Sequence, residues 1–356
     1  MMLRRRTVRV LAVVVLVLAA GALTAVLLLR RGRAPEAVRL LPEADAVVYF
    51  DVQALRTLGA FSGTAATREP EYEEFVRATG FQFERDLDAA AFAVHAAKMT
   101  PTPAPGGGPQ LSAETRFSEV FIGRFDIARA TAYLRKLAKG TERYRDIDVY
   151  FIPHENRQVK VAILGVDRVA VSNTDSREPL HRMIDRYRSG AMHAAGPAIV
   201  AAYREHIPLG SVIWAVARIG DESGNAGVPA PPALAVLSGT TLVGSVRPLL
   251  GAQLRLEDVA GDSVQAQRIV ESCTTMLALF KDMEAGATPS GTDEDVKKVF
   301  DSIRIEQQEK SAVLTATIPP GFLKKITSEP PALTQAAPTA VPTPTPSPAP
   351  KKRVAK

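Results

Sequence analysis

The sequence has one cysteine, five histidines and one tryptophan in 356 residues, and it lacks the short motifs of the common enzyme classes. A single cysteine, Cys273, cannot form an internal disulfide framework. No two histidines stand at HxxxH or HExxH spacing, which argues against a zinc site of that kind. No serine lies in a GxSxG elbow, and the consecutive glycines 106–108 fit neither a P-loop nor a dinucleotide-binding loop. We therefore predict no catalytic, cofactor-binding or metal-binding residues, and we expect that the protein is not an enzyme.

The net charge of +6 is distributed unevenly along the chain. Seven arginines and no acidic residue lie in the first 33 positions. The segment from Glu329 onward contains four basic residues and one acidic residue. The body between them, residues 34–328, holds 33 basic and 37 acidic residues and is mildly acidic. Because nucleic-acid binding requires a basic surface on the folded part, we expect no nucleic-acid partner.

A run of 20 uncharged residues, Val10–Leu29, follows the basic segment 1–9. As a helix it would be about 30 Å long, which matches the hydrocarbon core of a bilayer. We therefore predict a cytoplasmic segment 1–9 and a transmembrane helix 10–29, with the lipid bilayer as a partner. A cleaved signal peptide is the alternative, since small residues at 19, 20 and 22 could form a cleavage site. The predicted location is the inner (cytoplasmic) membrane, crossed once, with the body extracytoplasmic.

The body contains two stretches that enter an apolar strand in the same way. LPEADAVVYFDV (41–52) and IPLGSVIWAVARI (207–219) each place a proline three residues before a small polar residue, and the proline favours an extended entry. We interpret this as two related modules. The predicted organisation is a linker (30–40), a first αβ module (41–190), a second αβ module (191–328) and a disordered, proline-rich tail (329–356). The predicted fold class is α+β, with a transmembrane helix followed by two αβ modules with mostly antiparallel sheets.

Helix and strand signals are distributed throughout both halves. Residues 69–80 have a proline in the first turn, acids at the N-terminal end and Gly80 at the stop, which predicts a helix. Asp126 and Asp262 stand where N-caps are expected, and Gln265 completes a capping-box spacing. In RDIDVYFI (145–152) apolar and polar residues alternate, as in a half-buried strand. TPTPAPGGGP (100–109) has the composition of a surface loop.

Several residues have side chains capable of chemistry, and for each the sequence pattern favours a structural role. Cys273 lies on an apolar helical stripe and Trp214 in a central strand, which indicates core positions. The arginines of HRMIDRYR (181–188) could bind a phosphate or carboxylate, but pairing of Asp185 with Arg182 or Arg188 on a solvated face is favoured. The remaining candidates, expected to be ordinary surface, packing or helix-end residues, are His95, His154, His181, His193, His206, Glu71, Glu73, Glu74 and the acidic triplet 293–295.

The stretch that opens the body resembles a module opening found in uncharacterised bacterial membrane-anchored envelope proteins. The matching residues are Pro42, Asp45, Ala46, Val47 to Phe50 and Asp51. The second stretch departs from the pattern, with Ser211 in place of the acid and Ala217 in place of the later aspartate. The resemblance implies an envelope location and supplies no catalytic residues.

From these observations we expect a single-pass membrane protein that binds or scaffolds in the cell envelope and has an envelope protein as its partner. The alternative is a carrier that holds a lipid or another apolar ligand in a groove between sheet and helices. A third interpretation is an enzyme whose functional residues are too dispersed in the sequence to be recognised.

Overall fold

The structure is a computed structural model. It describes residues 34–60, 70–95, 100–103, 109–112, 116–154, 157–190, 196–220, 227–228, 232–249, 251–287 and 294–322. The predicted basic segment 1–9, transmembrane helix 10–29 and tail 329–356 lie outside the described residues. Within the described residues, no helix combines the length and the apolar composition needed to cross a bilayer.

The first half of the chain contains nine strands and six helices within the described residues. In chain order they are α1 Glu36–Leu40, β1 Ala46–Asp51, α2 Val52–Thr57, α3 Pro70–Thr79, α4 Phe83–Asp86, β2 Leu87–His95, β3 Thr100–Pro103, β4 Pro109–Ser112, β5 Arg116–Gly123, α5 Ile127–Leu137, β6 Gly140–Tyr144, β7 Ile147–His154, β8 Arg157–Ile163, β9 Arg168–Ser172 and α6 Glu178–Arg188.

The second half, again within the described residues, contains five strands, three helices and two short 3₁₀ helices. In chain order they are α7 Ala198–Ala202, a 3₁₀ helix Arg204–His206, β10 Ile213–Arg218, a 3₁₀ helix Pro232–Leu237, β11 Thr241–Pro248, β12 Ala252–Val259, α8 Ser263–Ala287, α9 Glu294–Ser302, β13 Arg304–Gln308 and β14 Ser311–Ile318.

Twelve of these strands form one antiparallel sheet, so the predicted fold class is wrong. The order is β13-β14-β12-β11-β10-β1-β2-β5-β9-β8-β7-β6. The first strands of the two expected modules, β1 and β10, pair with each other at the centre, with Val47 opposite Val216. An unpaired first strand would leave backbone donors and acceptors exposed, and this pairing satisfies them. The two halves are therefore parts of one continuous sheet and do not have sheets of their own.

Helices cover the two faces of the sheet differently. One face, which we call the α6 face, packs against α1, α6 and α7 and contains the largest apolar cluster, including Val47, Trp214 and Met183. The opposite face, the α8 face, packs against two separate clusters. One cluster surrounds Phe81 near α2, α3 and α4, and the other surrounds Ile269 on α8. The central part of the α8 face lies between these clusters.

Local sequence signals account for most helix ends. The Asp126 carboxylate accepts a hydrogen bond from the Arg129 N–H at 3.0 Å, and Asp262 accepts one from the Gln265 N–H at 2.8 Å, so both predicted N-caps are confirmed. Helix α3 ends at Gly80, whose φ of +74° is a conformation that glycine adopts without strain.

Three short elements differ from the sequence prediction. The predicted linker contains α1, whose Val38 and Leu40 are fully buried against α6 and the sheet. The expected loop 100–109 contributes β3 and the start of β4, which pair as a separate hairpin. The edge strand β6, GTERY, was not predicted because its side chains are mostly exposed and lack an alternating apolar pattern.

Candidate functional site

The arginine-rich helix α6 does not form an anion site. Arg182 pairs with Glu178 at 2.6 Å, and Arg186 pairs with Glu43 at 3.0 Å. Arg188 donates to the backbone carbonyl of Arg145. Asp185 pairs with Arg145 at 2.7 Å, so the expectation that it pairs with Arg182 or Arg188 is wrong. Each of these three arginines therefore has a partner within the described residues, although Arg186 Nη1 is buried without a hydrogen bond among them.

The described histidines lie apart from one another and have individual roles. His95 is hydrogen-bonded to Ser118 Oγ at 3.0 Å, at the start of a buried chain of hydroxyls that continues to Ser172. His181 stacks on Tyr144 with ring centroids 3.9 Å apart. His154 is exposed at the end of β7, and His193 lies outside the described residues. Among the described residues, no group of three or more His, Cys, Asp or Glu side chains is placed to hold a metal ion.

The other candidate residues from the sequence occupy core or helix-end positions. Trp214 is buried on the α6 face, 5.5 Å from the ring of Tyr49, which confirms its predicted core position. Cys273 is half-buried on α8, and burial raises the pKa of its thiol, so it remains protonated near neutral pH. The acids Glu71, Glu73 and Glu74 lie in the first turns of α3, and Glu294 and Asp295 begin α9, while residue 293 lies outside the described residues.

A cavity of about 690 Å³ lies beside α7 and the 3₁₀ helix that follows it. Its described lining consists of Ala201, Ala202, Arg204, Glu205, Ile207, Pro208 and Leu209. Because α7 packs on β1 and β10 through the core of the α6 face, this cavity belongs to that side of the sheet. It is a cleft about half open to solvent, with a volume in the range of small-molecule sites.

Two charged residues, Arg204 and Glu205, line this cavity; Arg204 is half-buried and Glu205 is exposed. The Nε of Arg204 is buried without a hydrogen-bond partner, and burial lowers the pKa of its guanidinium. Among the described residues, no carboxylate or carbonyl pairs with the Arg204 side chain. Its neighbour His206 is hydrogen-bonded to Glu257, with Nδ1 and Oε1 2.9 Å apart. Glu257 also accepts a hydrogen bond from Arg255 at 2.9 Å. The buried carboxylate of Glu257 is thus engaged by His206 and Arg255.

The central part of the α8 face carries a row of half-buried, mainly apolar residues. Strand register places the members side by side across six strands. Their neighbours on the α6 face of the same strands, such as Val47 and Val216, are fully buried. We call this set the central row: Glu119, Phe92, Val48, Ala215, Gly244 and Leu256. At about 4.8 Å per strand, it spans about 24 Å.

Glu119 is the one charged member of the central row. It stands opposite Phe92 and Val171 on the neighbouring strands, and burial raises the pKa of its carboxyl to about 7. Within the described part of the chain, no donor or cation pairs with this carboxylate. The row therefore combines an apolar floor with a single carboxyl at one end.

Helix α8 carries an apolar stripe that extends beyond its packed section. Ile269 is 1% exposed, and Cys273 and Met276 are half-buried. One turn later, Leu279 is 59% and Phe280 52% exposed. The spacing of 269, 273, 276 and 280 keeps these residues on one side of the helix. We call residues 276–280 the outer stripe.

Comparisons with known proteins identify no family for this chain. No family model and no curated protein matches it. Among solved structures, crystal form III of TP0453 matches with 11% identity and a TM-score of 0.44, covering 83% of this chain and 97% of that chain. Crystal form IV matches with 10% identity and a TM-score of 0.40, covering 82% of this chain and 94% of that chain. Crystal form I matches with 10% identity and a TM-score of 0.39, covering 83% of this chain and 96% of that chain. With TM-scores below 0.5, these likenesses carry no argument about this protein.

Sequence reasoning missed both Arg204 and Glu119. A charge in the middle of FSEVF (117–121), flanked on its own face by Phe117 and Phe121, was a signal that could have identified Glu119. No local signal identifies Arg204, because its lack of a partner depends on where distant segments fold.

Proposed function

We propose that this protein binds or scaffolds in the cell envelope, held at the inner membrane by residues 10–29 and engaging a protein partner through the outer stripe of α8. The observation that carries the proposal is the exposed pair Leu279 and Phe280. Single exposed apolar residues are common, but an apolar surface that continues from a packed helical stripe is typical of interaction sites. No catalytic role is part of this proposal.

The envelope location rests on the sequence. The uncharged run Val10–Leu29 follows a basic segment, and the body after it is mildly acidic. The resemblance of residues 42–51 to uncharacterised membrane-anchored envelope proteins supports the same location.

Site-specific photo-crosslinking tests the partner proposal. A benzoylphenylalanine at Leu279 in the full chain, expressed in native membranes, is expected to capture one defined envelope protein. Val166, which is 77% exposed in the turn between β8 and β9, provides the matched control position. Adducts with the same proteins at both positions, or no protein adduct at Leu279, would contradict a partner site on the outer stripe.

A lipid carrier is the second candidate function, and the central row favours it. The row is about 24 Å long, and its apolar members suit an extended apolar ligand, although Phe92 also packs against the cluster around Phe81. We expect lipid to remain with the purified protein after detergent removal, and Leu256→Asp to remove it because a charge would lie in the floor. Val166→Asp is the control. Lipid content that is equal in both variants would argue against this function.

A further inference from the structure

We propose that the cavity beside α7 binds an amphiphile with one carboxylate on an apolar chain, with Arg204 pairing with the carboxylate. This cavity lies on the α6 face and the outer stripe belongs to α8 on the opposite face, so the inference goes beyond the proposed function. Its test does not depend on a protein partner.

The first argument is that Arg204 has no ion pair among the described residues, whereas two other half-buried arginines have one. Arg168 pairs with Glu36 at 2.7 Å. Arg186 pairs with Glu43 at 3.0 Å, although its Nη1 is also buried without a hydrogen-bond partner among the described residues. Arg204 has a buried Nε without a partner, and none of the described residues supplies one. A guanidinium whose Nε is buried without a partner favours an anion that arrives from outside.

The second argument is the charge balance around the cavity. Glu205 also lines it, but its side chain is 85% exposed and lies 3.9 Å from His206 Nε2. Glu257 is held by His206 and Arg255. One guanidinium balances one negative charge and matches a planar carboxylate with two parallel hydrogen bonds. A phosphate monoester carries nearly two charges and would remain under-compensated.

The third argument is the apolar remainder of the wall. Ile207 is buried, Pro208 is half-buried, and Leu209 is exposed at the cavity. Together with the two alanines of α7, these side chains offer a surface for a hydrocarbon chain next to the cation. The combination of one cation and an apolar wall fits an acidic amphiphile better than a small hydrophilic anion.

Binding of radiolabelled octanoate, 1-octanol and inorganic phosphate to the full chain tests this inference. The protein is held in phosphatidylcholine nanodiscs, and empty nanodiscs measure partitioning into the lipid. We expect saturable binding of one octanoate per chain. Octanol and phosphate should each bind at least about tenfold more weakly, because octanol lacks the carboxylate and phosphate lacks the hydrocarbon chain.

Three variants locate the binding site. Arg204→Met keeps the length of the side chain, removes the charge and should weaken octanoate binding at least about tenfold. Ala201→Trp fills the cavity from an exposed position and should abolish binding while Arg204 remains. Arg182→Met, on the solvated face of α6, should bind as the unaltered chain does. Thermal unfolding establishes that each variant is folded.

Four results would overturn the inference. The first is that octanoate binds to protein-containing nanodiscs no more than to empty nanodiscs. The second and third are that folded Arg204→Met binds octanoate as tightly as the unaltered chain, or that Arg182→Met weakens octanoate binding as much as Arg204→Met does. The fourth is that phosphate binds as tightly as octanoate.

Discussion

Asp258 shows how a single buried carboxyl shapes the behaviour of the protein. It is 4% exposed, its Oδ2 accepts a hydrogen bond from Thr240 at 2.8 Å, and its Oδ1 has no hydrogen-bond partner among the described residues. Burial raises the pKa of Asp258 from 3.8 to about 6, against a smaller opposing effect of the Thr240 hydrogen bond. The folded state therefore keeps a proton at pH values where the unfolded chain has already lost it.

The pH dependence of Asp258→Asn follows from this difference. Between pH 4 and 6 the unfolded chain ionises first, so the Asp258 contribution to stability falls as pH rises, by at most about 3 kcal/mol. Asparagine does not ionise, so the stability of the variant relative to the unaltered chain should increase from pH 4 to 6.5 and then level off. Urea unfolding at several pH values measures this. If the difference in free energy of unfolding between the variant and the unaltered chain were constant with pH, the pKa of Asp258 would not be raised by folding.

At the scale of elements, α8 allows a direct test of a cap that the sequence predicts. Because the Asp262 carboxylate satisfies the Gln265 N–H, Asp262→Ala should lower the free energy of unfolding by about 1 kcal/mol. Asp282→Ala, at an exposed position within the same helix, should change it by less than about 0.5 kcal/mol. Chemical denaturation measures both. Equal effects of the two substitutions would mean that Asp262 is not the cap.

Elements with a strong local signal could be predicted, and elements without one could not. Asp126 marked the start of α5, and the alternation in 147–152 marked β7. Helix α1 has five residues and is held by tertiary contacts of Val38 and Leu40, which propensity does not reveal. The outer stripe was visible in the sequence as apolar periodicity, but its exposure was not, because periodicity does not indicate where the sheet beneath a helix ends.

At the scale of the whole molecule, the pairing of β1 with β10 determines where every site lies. It joins strands that are more than 160 residues apart in sequence, for which no local pattern exists. The predicted similarity of 41–52 and 207–219 was drawn from these same strands, yet it gave no indication that they are neighbours. As a consequence, the Arg204 cavity and the outer stripe lie on opposite faces of one sheet.

Disulfide trapping across β1 and β10 tests this arrangement most directly. Val48 and Ala215 are direct partners and half-buried, so Val48→Cys with Ala215→Cys, in a Cys273→Ala background, has a geometry that permits a disulfide. Val48→Cys with Leu256→Cys is the control, since β12 lies three strands away, about 14 Å. Mild oxidation followed by peptide mass spectrometry should detect a link between positions 48 and 215 and none between 48 and 256. The absence of the first link, or equal formation of both, would contradict a single sheet.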